Sequence, residues 1–143
     1  MTSKNLFIEE LEILTDKLGE ENKIPPQYLM ELLDLTTAAW WYWDIRSGYD
    51  YLSRGWCDLM GYEYGELPNH VSSWLETMHP EDHTLADEAM KAHLLFKKPY
   101  YLKARYKTKT GEYITSIDIG KVVHFDSVTG EPLSMVGFQR RAE

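Results

Sequence analysis

Hydrophobic positions recur along this chain with two periods, and the switch between them falls near residue 38. Before it the spacing is helical. In "KNLFIEELEILTDKLGEEN" (4–22), Phe7, Leu11, Leu14 and Leu18 fall on one stripe, with Glu9, Glu10, Glu12 and Asp16 on other faces. "NKIPPQ" (22–27) interrupts the pattern, and Pro25 and Pro26 suit a linker or the first turn of a second helix. "QYLMELLDL" (27–35) supplies that helix, with Leu29, Leu32 and Leu33 on one side.

After residue 38 the period shortens to two. "AAWWYWDI" predicts a strand, "RSG" a tight turn and "YDYLS" a second, short strand. Alternation puts Trp41 and Trp43 on one face of the first strand and Trp40 and Tyr42 on the other, so both faces need cover. "RGWCDLMGY" predicts a short helix with Trp56, Leu59 and Met60 on one face and Gly61 as its stop. "VSSWLETM" is another helical piece. Residues 79–96, "HPEDHTLADEAMKAHLLF", predict the main core helix. Pro80 suits its first position, Glu81 and Asp82 its first turn, and Leu85, Ala89, Ala92 and Phe96 its buried stripe. Three strands follow: "YYLKARYKT", "YITSIDIGKVVHF" and "LSMVGFQRR", separated by turns at "KTGE" and "DSVTGEP". Strands, then helices, then strands predict an α+β domain with one antiparallel sheet.

Composition narrows what such a domain does. A length of 143 residues, 43% hydrophobic and 13% aromatic, gives one domain with ample core. The formal net charge of −8 argues against binding nucleic acid, which needs a basic face, and against docking on an anionic membrane. A single cysteine, Cys57, allows no internal disulfide and fits a reducing cytosol. No apolar run has the length of a membrane span, and "MTSKNLFIEELEIL" lacks a signal peptide's basic start and continuous apolar stretch. The expected location is cytoplasmic.

Few residues carry the pattern of a chemical site. His79 and His83 stand at i and i+4 in "HPEDH", a spacing that can hold a metal on a helix. His79 falls at the cap position, however, and no third ligand is evident, so no metal is expected. His93, close to the stripe, could ligate haem iron or hydrogen-bond a carbonyl at the edge of the core; nothing else marks a haem pocket. Cys57 has no signature of activation and is expected as a small buried hydrophobe. Alternation groups Asp118 with Ser116 and Gly120, and Ile117 with Ile119, so Asp118 is expected in solvent and Ile117 inside. Only against an apolar cavity would the Asp118 carboxyl shift upward and serve as a base. No glycine-rich phosphate loop, Ser/His/Asp signature or paired-cysteine spacing is present.

Five segments in order, "WYWD" (41–44), "GYEYGEL" (61–67), "SWLETMHPED" (73–82), "KARYKTKTGEY" (103–113) and "TGEPLSMVG" (129–137), resemble the PAS sensor family with a PAC-type C-terminal half. The resemblance implies a five-stranded antiparallel sheet of order 2-1-5-4-3, with helices cupping one face around a small cavity. It places the domain at 37–141, after an N-terminal helical extension at 1–36. It turns Trp41, Trp43, Leu52, Trp56, Met60, Leu85, Ala89, His93 and Ile117 toward the cavity. Trp40 and Tyr42 on the outer face are expected to meet the N-terminal apolar surface, Phe7, Leu11, Leu14 and Leu18 and then Leu29, Leu32 and Leu33, from the same chain or from a second copy in a homodimer. There are two departures: Thr115 stands where the family often has tryptophan, and "RAE" (141–143) where it often has Asp-Ile-Thr. Flavin-binding relatives carry an Asn-Cys-Arg run on a later helix, which "GWCDL" is not, and no tightly bound cofactor is expected. The implied function is a non-catalytic sensory or dimerisation module that regulates an attached or partner histidine kinase or diguanylate cyclase, with a small-molecule ligand of unknown identity. The alternatives are a constitutive interaction module with a filled core, and a small enzyme using Asp118 or His93 as its acid–base group.

Overall fold

The computed structural model describes residues 25–142, so the Phe7, Leu11, Leu14 and Leu18 stripe lies outside the described residues. The chain divides into two compact units between Leu32 and Leu33. Helix α1, Pro26–Leu35, begins at its proline, as a residue without an N–H can. Its last residues belong with the second unit, where the Trp40 indole N–H donates to Asp34 Oδ1 at 3.2 Å.

The second unit holds strands β1 (Ala39–Asp44), β2 (Asp50–Leu52), β3 (Tyr100–Lys107), β4 (Tyr113–Phe125) and β5 (Pro132–Arg141). They form one sheet of order β2-β1-β5-β4-β3, and every pairing is antiparallel. The α+β class and the strand order are those the sequence implies. The first and last strands lie side by side, with Trp41 opposite Gly137.

Three helices and a 3-10 turn connect β2 to β3. Helix α2 (Arg54–Met60) is capped by Ser53, which accepts from the Trp56 N–H, and ends at Gly61 with φ 84°. It buries Trp56, Cys57 and Met60. Helix α3 (Val71–Thr77) is capped by the His70 ring. The expected helix at 79–96 is two pieces: a 3-10 turn at Pro80–Asp82, capped by His79, and helix α4 (His83–Phe96). Asp82 does not cap α4, because its carboxylate is turned to β3. It accepts from the Arg105 backbone N–H at 2.8 Å, from Nε at 3.0 Å and from Nη2 at 2.7 Å. This clamp fixes where α4 begins against the sheet.

The stripe expected on α4 is corrected by about one residue. Leu85 is 41% and Phe96 69% exposed, whereas Ala86, Ala89 and Met90 pack against the core. Both sets fit a helical period, and tethers at either end choose between them. At the start the tether is Asp82. At the end His93 accepts from the Val122 N–H through Nε2 (3.1 Å) and donates from Nδ1 to the Lys98 carbonyl (2.6 Å). Val122 sits beside a register shift in the β4–β5 ladder, where His93 takes up its N–H.

The Asp82 clamp has a consequence in acid. Hydrogen bonds from Arg105 hold the Asp82 carboxyl down from 3.8 to about 2. A depressed folded pKa contributes stability that is present above the unfolded value and lost as pH falls through the folded one. Wild type is expected to lose urea resistance between about pH 4 and pH 2. Asp82→Asn should be less stable than wild type at neutral pH and show a smaller loss over that window.

Candidate ligand cavity

The site begins with the tryptophan pair on β1. Trp41 is 7% exposed, and its indole lies across two glycines paired on the neighbouring strands, Gly120 of β4 and Gly137 of β5. A Cβ at Gly120 would stand 2.8 Å from Trp41 Cη2, and one at Gly137 would collide with Cζ2. The glycines leave a shallow bed, and across it the indole N–H reaches Asp118 Oδ1 at 2.7 Å. A second polar chain crosses the same face. Trp56 Nε1 donates to Gln139 Oε1 at 3.0 Å, and Gln139 Nε2 donates to Ser116 Oγ at 2.7 Å, joining α2 to β5 and β4.

Between this floor and the helices lies a cavity of about 30 Å³. The sheet contributes Trp41, Trp43, Asp50, Leu52, Tyr100, Asp118 and Met135, and the helical side contributes Trp56, Val71, Trp74 and Met90. Two carboxyls thus face one small volume. Asp118 is 1% and Asp50 5% exposed. Burial pushes Asp118 from 3.8 up to about 8, against the opposing Trp41 hydrogen bond, and the nearby Asp50 adds to the rise. Burial pushes Asp50 up to about 7. Burial, and then the charge of Asp118, raise the Tyr100 and Tyr106 hydroxyls as well. The cavity therefore favours uncharged acids, or acids whose charge something else neutralises.

Some of its polar atoms have no partner. Trp43 Nε1 and Asp50 Oδ1 are buried and unbonded. Trp43 and Asp50 stand directly opposite each other across the β1–β2 pair. A buried donor and a buried acceptor without partners each carry a cost of about 1–3 kcal/mol that an occupant able to serve them relieves.

Of the residues the sequence assigned here, Trp41, Trp43, Leu52 and Trp56 line the cavity. Met60 is fully buried in the α2 core without lining it, and Ala89 packs against the core. Leu85 faces away, for the reason given above. His93 is at the edge with both ring nitrogens engaged. Ile117 is corrected to the outer face of β4, because Asp118, its neighbour, points inward, and the expectation of a solvated Asp118 is reversed with it. On the outer face Trp40 stacks on Tyr51 at 4.9 Å between centroids, and Tyr42 is 36% exposed. Asp50, Val71, Trp74, Met90, Tyr100 and Met135 were missed. Asp50 shares its strand parity with Leu52, which the sequence did place inside, and that was the available signal. His79 caps the 3-10 turn through Nδ1, and no cluster of three or more metal-ligating residues occurs among the described residues.

A five-stranded antiparallel sheet with helices over one face around one small cavity, its first and last strands side by side, defines an α+β class. The model of the PAS fold matches residues 49–139, and the chain belongs to that family. Its structure superposes with a TM-score of 0.66 on a sensory box histidine kinase/response regulator from Burkholderia thailandensis, 31% identical over 80% of this chain and 83% of that one. The N-terminal domain of a diguanylate cyclase with a PAS/PAC sensor from Marinobacter aquaeolei gives 0.59 at 22% identity, over 71% of this chain and 92% of that one. A light–oxygen–voltage domain gives 0.59 at 18% identity, over 81% and 85%. The last two likenesses concern the fold alone. No curated protein matches the sequence.

The buried acids predict a pH dependence opposite to that of Asp82. Asp118 titrates at 3.8 when unfolded and about 8 when folded. Between those values the unfolded chain gives up a proton that the folded one keeps, so stability falls as pH rises through the window and levels off above it. Asp50, raised to about 7, acts in the same direction. In urea titrations wild type should weaken from about pH 5 to about pH 8. Asp118→Asn, which still accepts from Trp41, should weaken less. An unchanged slope would mean that Asp118 is already ionised in the folded protein.

Proposed function

We propose that this chain is a non-catalytic, cytoplasmic sensory module that regulates an attached or partner histidine kinase or diguanylate cyclase through a small molecule held in the cavity. The observation that carries the reading is the pair of buried, unpartnered polar atoms there, Trp43 Nε1 and Asp50 Oδ1, on residues paired across β1 and β2. A module whose aromatics merely filled its core would gain by replacing them with apolar groups. The relatives named above supply the class of output. The mechanism is a shift between two populations of the domain, biased by the occupant's preference for one of them.

The same reading makes the N-terminal segment the element that carries the signal and holds a homodimer together. Phe7, Leu11, Leu14 and Leu18 form an apolar stripe, and isolated helices of that length are marginal in water without a surface to cover. The outer face of the sheet offers Tyr42, Val136 and Phe138, each at least 36% exposed, beside Trp40. A second reading, a small enzyme, rests on Asp118, a buried carboxyl beside the void whose pKa lies near 8. The readings differ in the fate of the occupant, which a sensor returns unchanged.

Two measurements test this. Native mass spectrometry of protein taken fresh from cells should show a retained small molecule, released intact on denaturation. A converted product would favour the enzyme, and an empty protein at every loading would remove the sensor. Leu11→Glu with Leu14→Glu in the full chain should reduce the oligomeric state seen by light scattering while leaving the sheet domain folded. An unchanged state would show that the stripe does not hold two copies together.

A further inference from the structure

The cavity's chemistry specifies its occupant more narrowly than its fold does. The two carboxyls of Asp50 and Asp118 share a volume of about 30 Å³. None of the ion pairs among the described residues includes either of them: Arg46 pairs with Asp126, Arg105 with Glu81 and Asp82, and Lys109 with Glu66. The rest of the wall is largely aromatic, with Trp41, Trp43, Trp74 and Tyr100. Aromatic faces attract cations through the ring quadrupole, most strongly where water is excluded. Paired acids without a counter-charge, set among such rings, make a receptor for positive charge.

Size and donor set decide which kind. The volume holds about two or three waters, which excludes flavins, haem and drug-sized molecules unless the helices part. A hard metal ion wants about six or more oxygen ligands, and beyond its two carboxyls the lining adds only the Tyr100 hydroxyl as a side-chain oxygen. The two unpartnered atoms add a requirement. Asp50 Oδ1 needs a donor, while Trp43 Nε1 needs an acceptor, and their residues are paired across β1 and β2. Asp50 is itself 95% buried, at 5% exposure, so no bulk water reaches it to do either task.

Resting on the reading of the cavity as a ligand site, we infer that its occupant is a small ammonium compound that also carries a hydroxyl or similar acceptor, an amino alcohol in the simplest case. Its nitrogen donates to Asp50 and lies within reach of the charge on Asp118, and its oxygen accepts from Trp43. The acids are raised by burial, so binding the cation also displaces protons from them. The groups that face them and titrate are one another, Tyr100 and Tyr106 on β3, with Asp87 of α4 acting on Tyr100. None of these is a cation, so the bound charge has no competitor inside.

The test is a charge series on a two-carbon frame: ethanolamine, ethylene glycol and glycolate, at matched ionic strength, followed by tryptophan fluorescence and thermal shift on the full chain. Only ethanolamine should give a saturable change. Asp50→Asn should weaken it by about tenfold or more, the worth of one charge-assisted hydrogen bond. Asp58→Asn, an exposed acid on α2, should leave it unchanged and so control for surface charge. Calorimetry in two buffers of different ionisation heat should detect proton release on binding. Saturable binding of ethylene glycol or glycolate in preference to ethanolamine overturns the cation and leaves the ligand cavity standing. An ethanolamine response that Asp50→Asn does not change also overturns it. If none of the three probes binds, the inference fails, and the retained-molecule measurement decides separately whether the cavity takes a ligand at all.

Discussion

The Trp41 indole, lying across Gly120 and Gly137 to reach Asp118, is the contact on which the interior depends. It requires three things at once. β4 and β5 must give up side chains at paired positions, a carboxyl must be buried where the indole N–H ends, and β1 must sit beside β5 in the register that sets Trp41 opposite Gly137. A methyl group at either glycine would lift the ring from the sheet into the cavity. The indole therefore ties the strand order to the size of the void. A buried indole N–H without an acceptor is costly, which is why the strand beneath carries Asp118 and not an apolar residue.

That contact also explains where the sequence was legible and where it was not. The turns, the cap at His79 and the stop at Gly61 follow from local chemistry, whereas the strand order and the inward faces of β1 and β2 came from the family resemblance. β4 misled, because its two faces read inversely. Ile117 and Ile119 look like core, while Ser116, Asp118 and Gly120 look like surface. The inner face is small and polar because indoles from β1 and α2 already fill the space above it and need acceptors. Tyr113–Phe125 read alone cannot show that. Read together with "WWYWD" it can, since a large inward aromatic on one strand implies small partners on its neighbours.

The helical side misled for a different reason. On α4 two overlapping stripes satisfy one period, and the choice falls to side-chain tethers that hydrophobicity does not record. Asp82 looked like a first-turn acid suited to the helix dipole. Its carboxylate is turned to Arg105, 23 residues away in sequence. His93, weighed as a haem ligand, binds backbone at both nitrogens. In each case a polar residue that might have marked a site instead fixes the position of a helix over the site. Asp50 and Asp118, which no local motif announces, are the groups left facing the void.

The cavity also has short physical connections to the surface, and they leave through its own lining. Asp50 lies on β2, an edge strand of three residues whose backbone N–H groups at Asp50 and Leu52 donate to the Asn69 carbonyl and side chain. Asn69 precedes the cap of α3, so a change in what Asp50 binds acts on a strand anchored at the start of that helix. Trp41 has the other connection. Its chain neighbour Trp40 faces the opposite side of the sheet, stacks on Tyr51 and donates to Asp34 at the end of α1. Adjacent residues of a strand point to opposite faces, so a displacement of Trp41 that carries the β1 backbone with it also carries Trp40 against Asp34. A ligand that prefers one position of Trp41 would thereby prefer one position of the α1 end, which is the differential interaction a population shift requires.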